Sequence, residues 1–590
     1  MRPLLGLALL PTLALATACG GASHNLGAAF STDWQNDNGR SIAQVQQRLA
    51  NAKLPPGAAV AVGVTDKGLV GIGLDGSGRW EHAAKLDTRP AVAGQVVVGT
   101  GGGQVFALDA KSGSQLWSFS DEGHPLVGAG DDGKTTVISL GGMNSPGSLV
   151  IAVDHRGHVV RRLQPKPLVG KPAVVDGIAF LPWGDQYVSA IDLSSGQEAG
   201  RLLMRDQVSH ALEIGGQLYF GQRNLVRFDS RIDKATVHQA DRVDLPDAKL
   251  PGSPEWFHDG TAVEKLRADA RDSIQLFARP TGTGGKPKLA ADRLAATYFR
   301  IVLGLDGNDG SLRWVRALPE NTLGGAAAAS GFAICDSKGD VWRIGADGSD
   351  AGKLSLGAAL ESCVVQGGDY RVSGGKAPGP LAEQIASAVE LPNAELVTIQ
   401  HYLLDQLGPL KDPIVTKVLI DLAENPRTPP MLLKDANELL AKRRNGKMYM
   451  LEALKRHYDY LSDVLRPPPV APLADALAAM GIKEAAPLLA EHLNDPADSP
   501  ADIEHAARAL EKLATSDQYE SLKTFFSLYR ATADEQPLVD AVVATGKTLV
   551  RVGGDNGRKV VEQAVSDPLT MPDVKAGLAD AIKPTPKRKG

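Results

Sequence analysis

The chain has 590 residues, a formal net charge of −5, 22% charged and 43% hydrophobic side chains. That length exceeds one compact core and requires at least two folded domains. The mild acidity without charge blocks excludes nucleic acid as the main partner, and the basic tail at 586–590 reads as a solvated end. Of 64 glycines only ten follow Gly375, so a turn-rich first part gives way to a turn-poor second.

The chain opens MRPLLGLALLPTLALATACGG. Arg2 supplies a positive start, and the apolar run Leu4 to Leu15 is too short for a comfortable membrane span. Small residues then lead into Cys19. The order Ala16-Thr17-Ala18-Cys19 resembles the lipobox of bacterial lipoproteins. That resemblance implies a signal peptide over 1–18, lipidation of Cys19, and a protein anchored by acyl chains rather than spanning the bilayer. Gly20, where an aspartate would retain the protein at the inner membrane, implies the outer membrane with a periplasm-facing body. The alternative is a plain export signal with a chance cysteine. Residues 19–57 read as a tether with one short helix, where Ile42, Val45 and Leu49 recur at helical spacing behind Ser41 as N-cap.

From 58 to 375 the pattern becomes short apolar runs separated by Gly, Asp and Asn, as in QVVVGT, QVFALDA, SLVIAVD, YVSAIDL and FRIVLGLD. An apolar run ends in aspartate, a glycine-containing turn follows, and another strand begins. The aspartates are Asp75, Asp109, Asp154, Asp192, Asp229, Asp306 and Asp347, with gaps of 34, 45, 38, 37, 77 and 41. A period near 40 with short strands is the signature of a β-propeller blade. The spacing predicts seven blades, and the 77-residue gap holds either an insertion or a decayed eighth. The aspartate accepts turn amides, the glycine permits positive φ, and a tryptophan eight residues on packs between blades. Asp109, Gly113 and Trp117 show the full set, as do Asp306, Gly310 and Trp314. Asp192 and Gly196 keep the turn, but Gly200 replaces the tryptophan.

Residues 376–585 carry helical periodicity, with Leu488, Leu489 and Leu493, then Ile503, Ala506, Ala507, Leu510 and Leu513. Breaks at NPRTPP, RPPPVAP, NDPADSP and VGGDNG part amphipathic helices into an all-α solenoid. The predicted architecture is therefore multidomain, an all-β propeller followed by an all-α solenoid.

Two family resemblances follow. ALDAKSGSQLW, with Ala107, Asp109, Ser112, Gly113 and Trp117, is similar to the repeat of the PQQ-like propeller family. Joined to an export signal ending in cysteine, such a propeller resembles the BamB family of outer-membrane assembly lipoproteins. GIKEAAPLLAEHLND resembles a HEAT repeat. The resemblances imply blade-docking rather than catalytic roles for Asp109, Gly113, Trp117, Asp192, Gly196, Asp306, Gly310 and Trp314. They imply a non-catalytic scaffold with protein partners at the cell envelope, membrane attachment through the lipid anchor, and no cofactor.

A PQQ-dependent dehydrogenase is the enzymatic alternative. Such enzymes carry an adjacent Cys-Cys pair and a calcium-binding carboxylate set, neither of which stands out. A carbohydrate- or ligand-sensing propeller is the third reading. GTGGGQ lies between two strands, not before a helix, and reads as a hairpin turn rather than a phosphate loop. DGNDG lacks an oxygen ligand at Gly310 and reads as a blade turn rather than a calcium loop. His155 and His158 lack an evident third ligand, so no metal site is assigned. Cys335 and Cys363, 28 residues apart, form a disulfide or stay as buried thiols. Trp256 and Phe257 in the long gap are either a partner anchor or packed against the propeller.

Overall fold

The computed structural model describes residues 30–31, 38–121, 123–141, 147–222, 225–228, 242–243, 245–252, 275–281, 288–457 and 468–579. Residues 1–18, read above as a signal peptide, Cys19, Asp229, Trp256, Phe257 and the basic tail lie outside the described residues. Seven four-stranded sheets form the blades of a β-propeller, and a region of about twelve helices follows. Blade 1 begins with Val60–Thr65, Gly68–Gly73 and Trp80–Ala83. Blade 2 is Ala91–Ala93, Val96–Gly101, Gln104–Asp109 and Gln115–Ser120, paired antiparallel in chain order. Blades 3, 4 and 5 start at Leu126, Ala173 and His210, and blades 6 and 7 at Gln275 and Thr322.

The inner strands read as unbroken apolar runs because each blade is covered on both faces. Val60–Thr65 and Ile178–Trp183 are buried at every position. The outer strand Gln115–Ser120 buries only Trp117 fully, which is the half-solvated pattern of an edge. The seven sheets decide between the two readings of the 77-residue gap. Blade 5 ends with Arg242–Val243 and blade 6 starts with Gln275–Thr281, and no eighth sheet occurs among the described residues. The extra length is an insertion between blades.

The chain divides into two compact units. One holds the strands up to Val243; the other holds the strands of blade 7 and all helices beyond residue 380. Helix α1, Asn38–Leu49, belongs to the first. It begins at Asn38, so Ser41 lies inside the helix and is not its N-cap. The apolar period becomes visible only from Ile42, and a sequence reading therefore misses the first, polar turn.

In the second unit the helices are α2 (Leu381–Val389), α3 (Val397–Leu407), α4 (Ile414–Glu424), α5 (Pro430–Ala441), α6 (Lys447–Leu454), α7 (Val470–Met480), α8 (Ala486–His492), α9 (Pro500–Leu513), α10 (Tyr519–Tyr529), α11 (Gln536–Ser566) and α12 (Pro572–Ala579). Gly554, at φ 53° and ψ −128°, breaks α11 into two segments. Gln384 of α2 accepts the Val315 amide of blade 6 at 2.9 Å and so satisfies an edge donor.

One turn occurs three times in this region: Asn425-Pro426-Arg427-Thr428-Pro429-Pro430, Asp495-Pro496-Ala497-Asp498-Ser499-Pro500 and Asp567-Pro568-Leu569-Thr570-Met571-Pro572. The first side chain accepts the amide of the third residue at 2.9, 2.9 and 3.0 Å. The sixth residue, proline, starts α5, α9 and α12, where a missing N–H is no loss. No helix among the described residues is long and apolar enough to cross a membrane.

Candidate functional site

The blade turns share one geometry. Asp109 accepts the amides of Lys111 at 3.1 Å and Ser112 at 2.8 Å, and the Ser112 hydroxyl at 2.8 Å. The Gly113 amide donates to the Asp109 carbonyl at 2.8 Å, with Gly113 at φ 69°. Asp192 repeats this with the amides of Ser194 and Ser195 at 2.8 and 2.9 Å, closed by Gly196 at φ 75°. Asp306 accepts the Asn308 amide at 2.8 Å and the Arg313 guanidinium at 2.6 Å, closed by Gly310 at φ 73°. The Asn308 amide and Arg313 hold the Asp306 carboxyl below the usual carboxylate range.

The Asp109 and Asp192 turns each receive a side chain from the blade before. The Trp80 indole N–H donates to the Ala110 carbonyl at 3.0 Å, and its ring lies 2.5 Å from where a Cβ on Gly113 would stand. Trp314 does the same to the following turn, donating to the Ala346 carbonyl at 2.9 Å against Gly348. Gly71 and Gly304 make room for these rings on their own blades. Trp117 packs beside Gly157, but its Nε1 has no acceptor among the described residues. Trp80 escapes the eight-residue spacing because its turn is shorter; it follows Asp75 by five residues. In blade 3 the place belongs to Arg161, opposite Ala152 as Trp117 is opposite Ala107, and Arg161 donates to the Ser194 carbonyl.

Blade 4 is the exception. Gly200 stands opposite Ala190 at the tryptophan position, and Ile42 of α1 fills the space, its Cδ1 2.8 Å from where a Gly200 Cβ would be. Ile42 and Val45 are buried in one core with Phe180, Leu202, Phe220 and Phe228. Leu49, Ala52 and Leu54 pack against its rim. Arg48 forms an ion pair with Asp192. Burial opposes charge on Asp192, yet the Ser194 hydroxyl, Arg48 and the Ser195 amide outweigh it and hold the carboxyl far below its usual range. Upstream, Phe30 meets Trp183 edge-on at 5.6 Å, and Arg201 donates to the Ser31 carbonyl at 2.7 Å. Arg201 is itself held by Glu198 through two bonds of 2.8 Å. The segment before the propeller is thus seated on blade 4 by apolar, ionic and backbone contacts together.

Cys335 in blade 7 is joined by a disulfide to Cys363 in Ser362–Gln366, with Cα atoms 6.6 Å apart. Gly102 and Gly103, both at positive φ, make the two-residue hairpin of GTGGGQ. His155 pairs with Asp131 at 2.6 Å and His158 with Asp154 at 3.0 Å, so the two histidines serve different turns. In the helical region His457, His492 and Asp495 bring one ligand atom each within 4.8 Å of one another. Sequence spacing gave no signal for that group, since 35 residues separate the two histidines.

Residues 31–231 match the family model described as outer membrane protein assembly factor BamB. Over those residues the propeller is similar to the PQQ-like propellers that model describes. A curated relative, outer membrane protein assembly factor BamB of Bordetella pertussis, is 31% identical over 114 residues, which is 19% of this chain and 28% of that protein. The chain therefore spans well under a third of that relative's length. Among solved structures, BamB from Moraxella catarrhalis has 13% identity, covering 52% of this chain and 84% of that one, with a TM-score of 0.28. The computationally designed Ika8 protein has 12% identity, covering 54% and 94%, with a TM-score of 0.31.

Proposed function

We propose that this protein is a non-catalytic scaffold, lipid-anchored through Cys19 at the periplasmic face of the outer membrane, where it binds protein partners in outer-membrane protein assembly. The observation that carries the reading is the use made of the repeat's own carboxylates. Asp109, Asp192 and Asp306 are committed to turn amides, hydroxyls and guanidinium groups, and the turns built on Asp109 and Asp192 receive Trp80 and Arg161 from the blade before. The family match over 31–231 agrees with that role. A propeller rim and a HEAT-like helical surface are both suited to protein recognition rather than chemistry.

Crosslinking in intact cells, followed by purification of the tagged full-length chain, tests the reading. Recovery of an outer-membrane barrel-assembly protein supports it, and recovery of none overturns it. Replacing Cys19 by serine should move the protein from the membrane to the soluble periplasmic fraction; retention in the membrane fraction would remove the anchor from the proposal.

A further inference from the structure

The three repeated turns of the helical region differ in one respect. At the position three residues before each turn stand Leu422, His492 and Ala564, and at the fourth position within it Thr428, Asp498 and Thr570. Thr428 closes the first copy by donating to the Leu422 carbonyl at 2.7 Å. In the third copy Arg530 donates to the Thr570 hydroxyl at 2.7 Å. A neutral threonine is therefore enough to build this turn. The middle copy instead buries an ionisable pair: His492 is fully buried, and Asp498 stands 2.8 Å from its Nδ1 with 1% of its side chain exposed. Buried ionisable pairs are poor stabilisers, and the sister copies show that the turn does not need one.

What surrounds the pair is a donor set. His492 is oriented by a bond of 2.9 Å from Nε2 to the Leu454 carbonyl, the outer support that a metal-binding imidazole uses. His457 stacks on it with ring centres 4.5 Å apart and lies 2.7 Å from Asp495. The Asp498 Oδ1 is buried and has no donor among the described residues. We propose that His457, His492 and Asp495, with Asp498 beside them, form a site for a divalent cation of the zinc class, which would tie the end of α6 to the turn between α8 and α9. Imidazole nitrogen with carboxylate oxygen is the donor chemistry of zinc and its first-row neighbours. The cation would replace the protons now shared between each histidine and its aspartate, which are released on binding.

The test uses the full-length protein without a histidine tag, stripped with EDTA and titrated with zinc chloride alone. One zinc per chain is expected, with a rise of about 5 °C or more in the melting temperature of the helical region at a hundredfold excess over the dissociation constant. His457→Ala and Asp495→Asn, both at partly exposed positions, should abolish binding. The double variant H492L/D498T writes in the residues of the first copy, so it should fold and bind no zinc. No stoichiometric binding by the parent protein, or equal binding by H492L/D498T when its far-ultraviolet spectrum matches the parent, overturns the proposal.

Discussion

Ile42→Ala tests whether α1 replaces the missing tryptophan of blade 4. Ile42 is completely buried and its Cδ1 occupies the space above Gly200. Truncation removes three carbons from water-free surroundings, about 2.4 kcal/mol of transfer energy at ~0.8 kcal/mol each. A residual cavity adds to this, and partial collapse of a helix onto a blade limits it, so about 3 kcal/mol is expected. The loss falls on the docking of α1 rather than on the propeller, because the core residues Phe180 and Phe220 keep their other neighbours. Three kcal/mol is about a hundredfold in the docked-to-undocked ratio. Native-state hydrogen exchange of the amides of 42–49 should accelerate by that factor while those of Ile178–Trp183 change little. Acceleration below about threefold would refute the seat. Gly200→Trp, which restores the repeat residue, should also expel Ile42 and expose the same amides.

Four further outcomes follow from the same geometry. Asp192 has a lowered carboxyl, so its contribution is present at neutral pH and is lost as pH falls below the ordinary aspartate value of about 3.9 toward the lower folded value. Exchange protection of α1 should fall in that acid window, and Asp192→Asn should flatten the profile. Trp314→Ala should cost about 3–5 kcal/mol in urea titrations, since its ring is 2% exposed and its N–H bonded to Ala346. Gly113→Ala meets the Trp80 ring at 2.5 Å in addition to its positive φ, so it should destabilise by about 2–4 kcal/mol, whereas Gly102→Ala, facing open space, should lose about 1 kcal/mol; equal losses would reject the docking role. Reduction of Cys335–Cys363 opens a loop of 28 residues, and loop entropy predicts a loss of about 3.5 kcal/mol, read as a lower midpoint with reductant.

Residue order alone disclosed the blade period, the aspartate–glycine turns and the change to helices after residue 375. Those signals are local: a turn needs its carboxylate within three residues of the amides it caps, and a helix needs its apolar residues at fixed spacing. Trp80 was hidden because its turn is shorter than the others. The repeated turn at Asn425, Asp495 and Asp567 was legible only in part, since only the prolines at its second and sixth positions are common to all three copies and spacings of 70 and 72 residues blur the repeat.

Sequence by itself determined that the chain would make short strands in blades and then amphipathic helices, because both follow from contacts between near neighbours. Only the tertiary structure decided the count of seven blades, the bond between Cys335 and Cys363, the convergence of His457 with His492, and the filling of Gly200 by a residue 158 positions earlier. A vacancy left by glycine can be filled by any apolar side chain that the fold brings to it. Burial is indifferent to chain separation, so nothing in the local pattern names the residue that fills it.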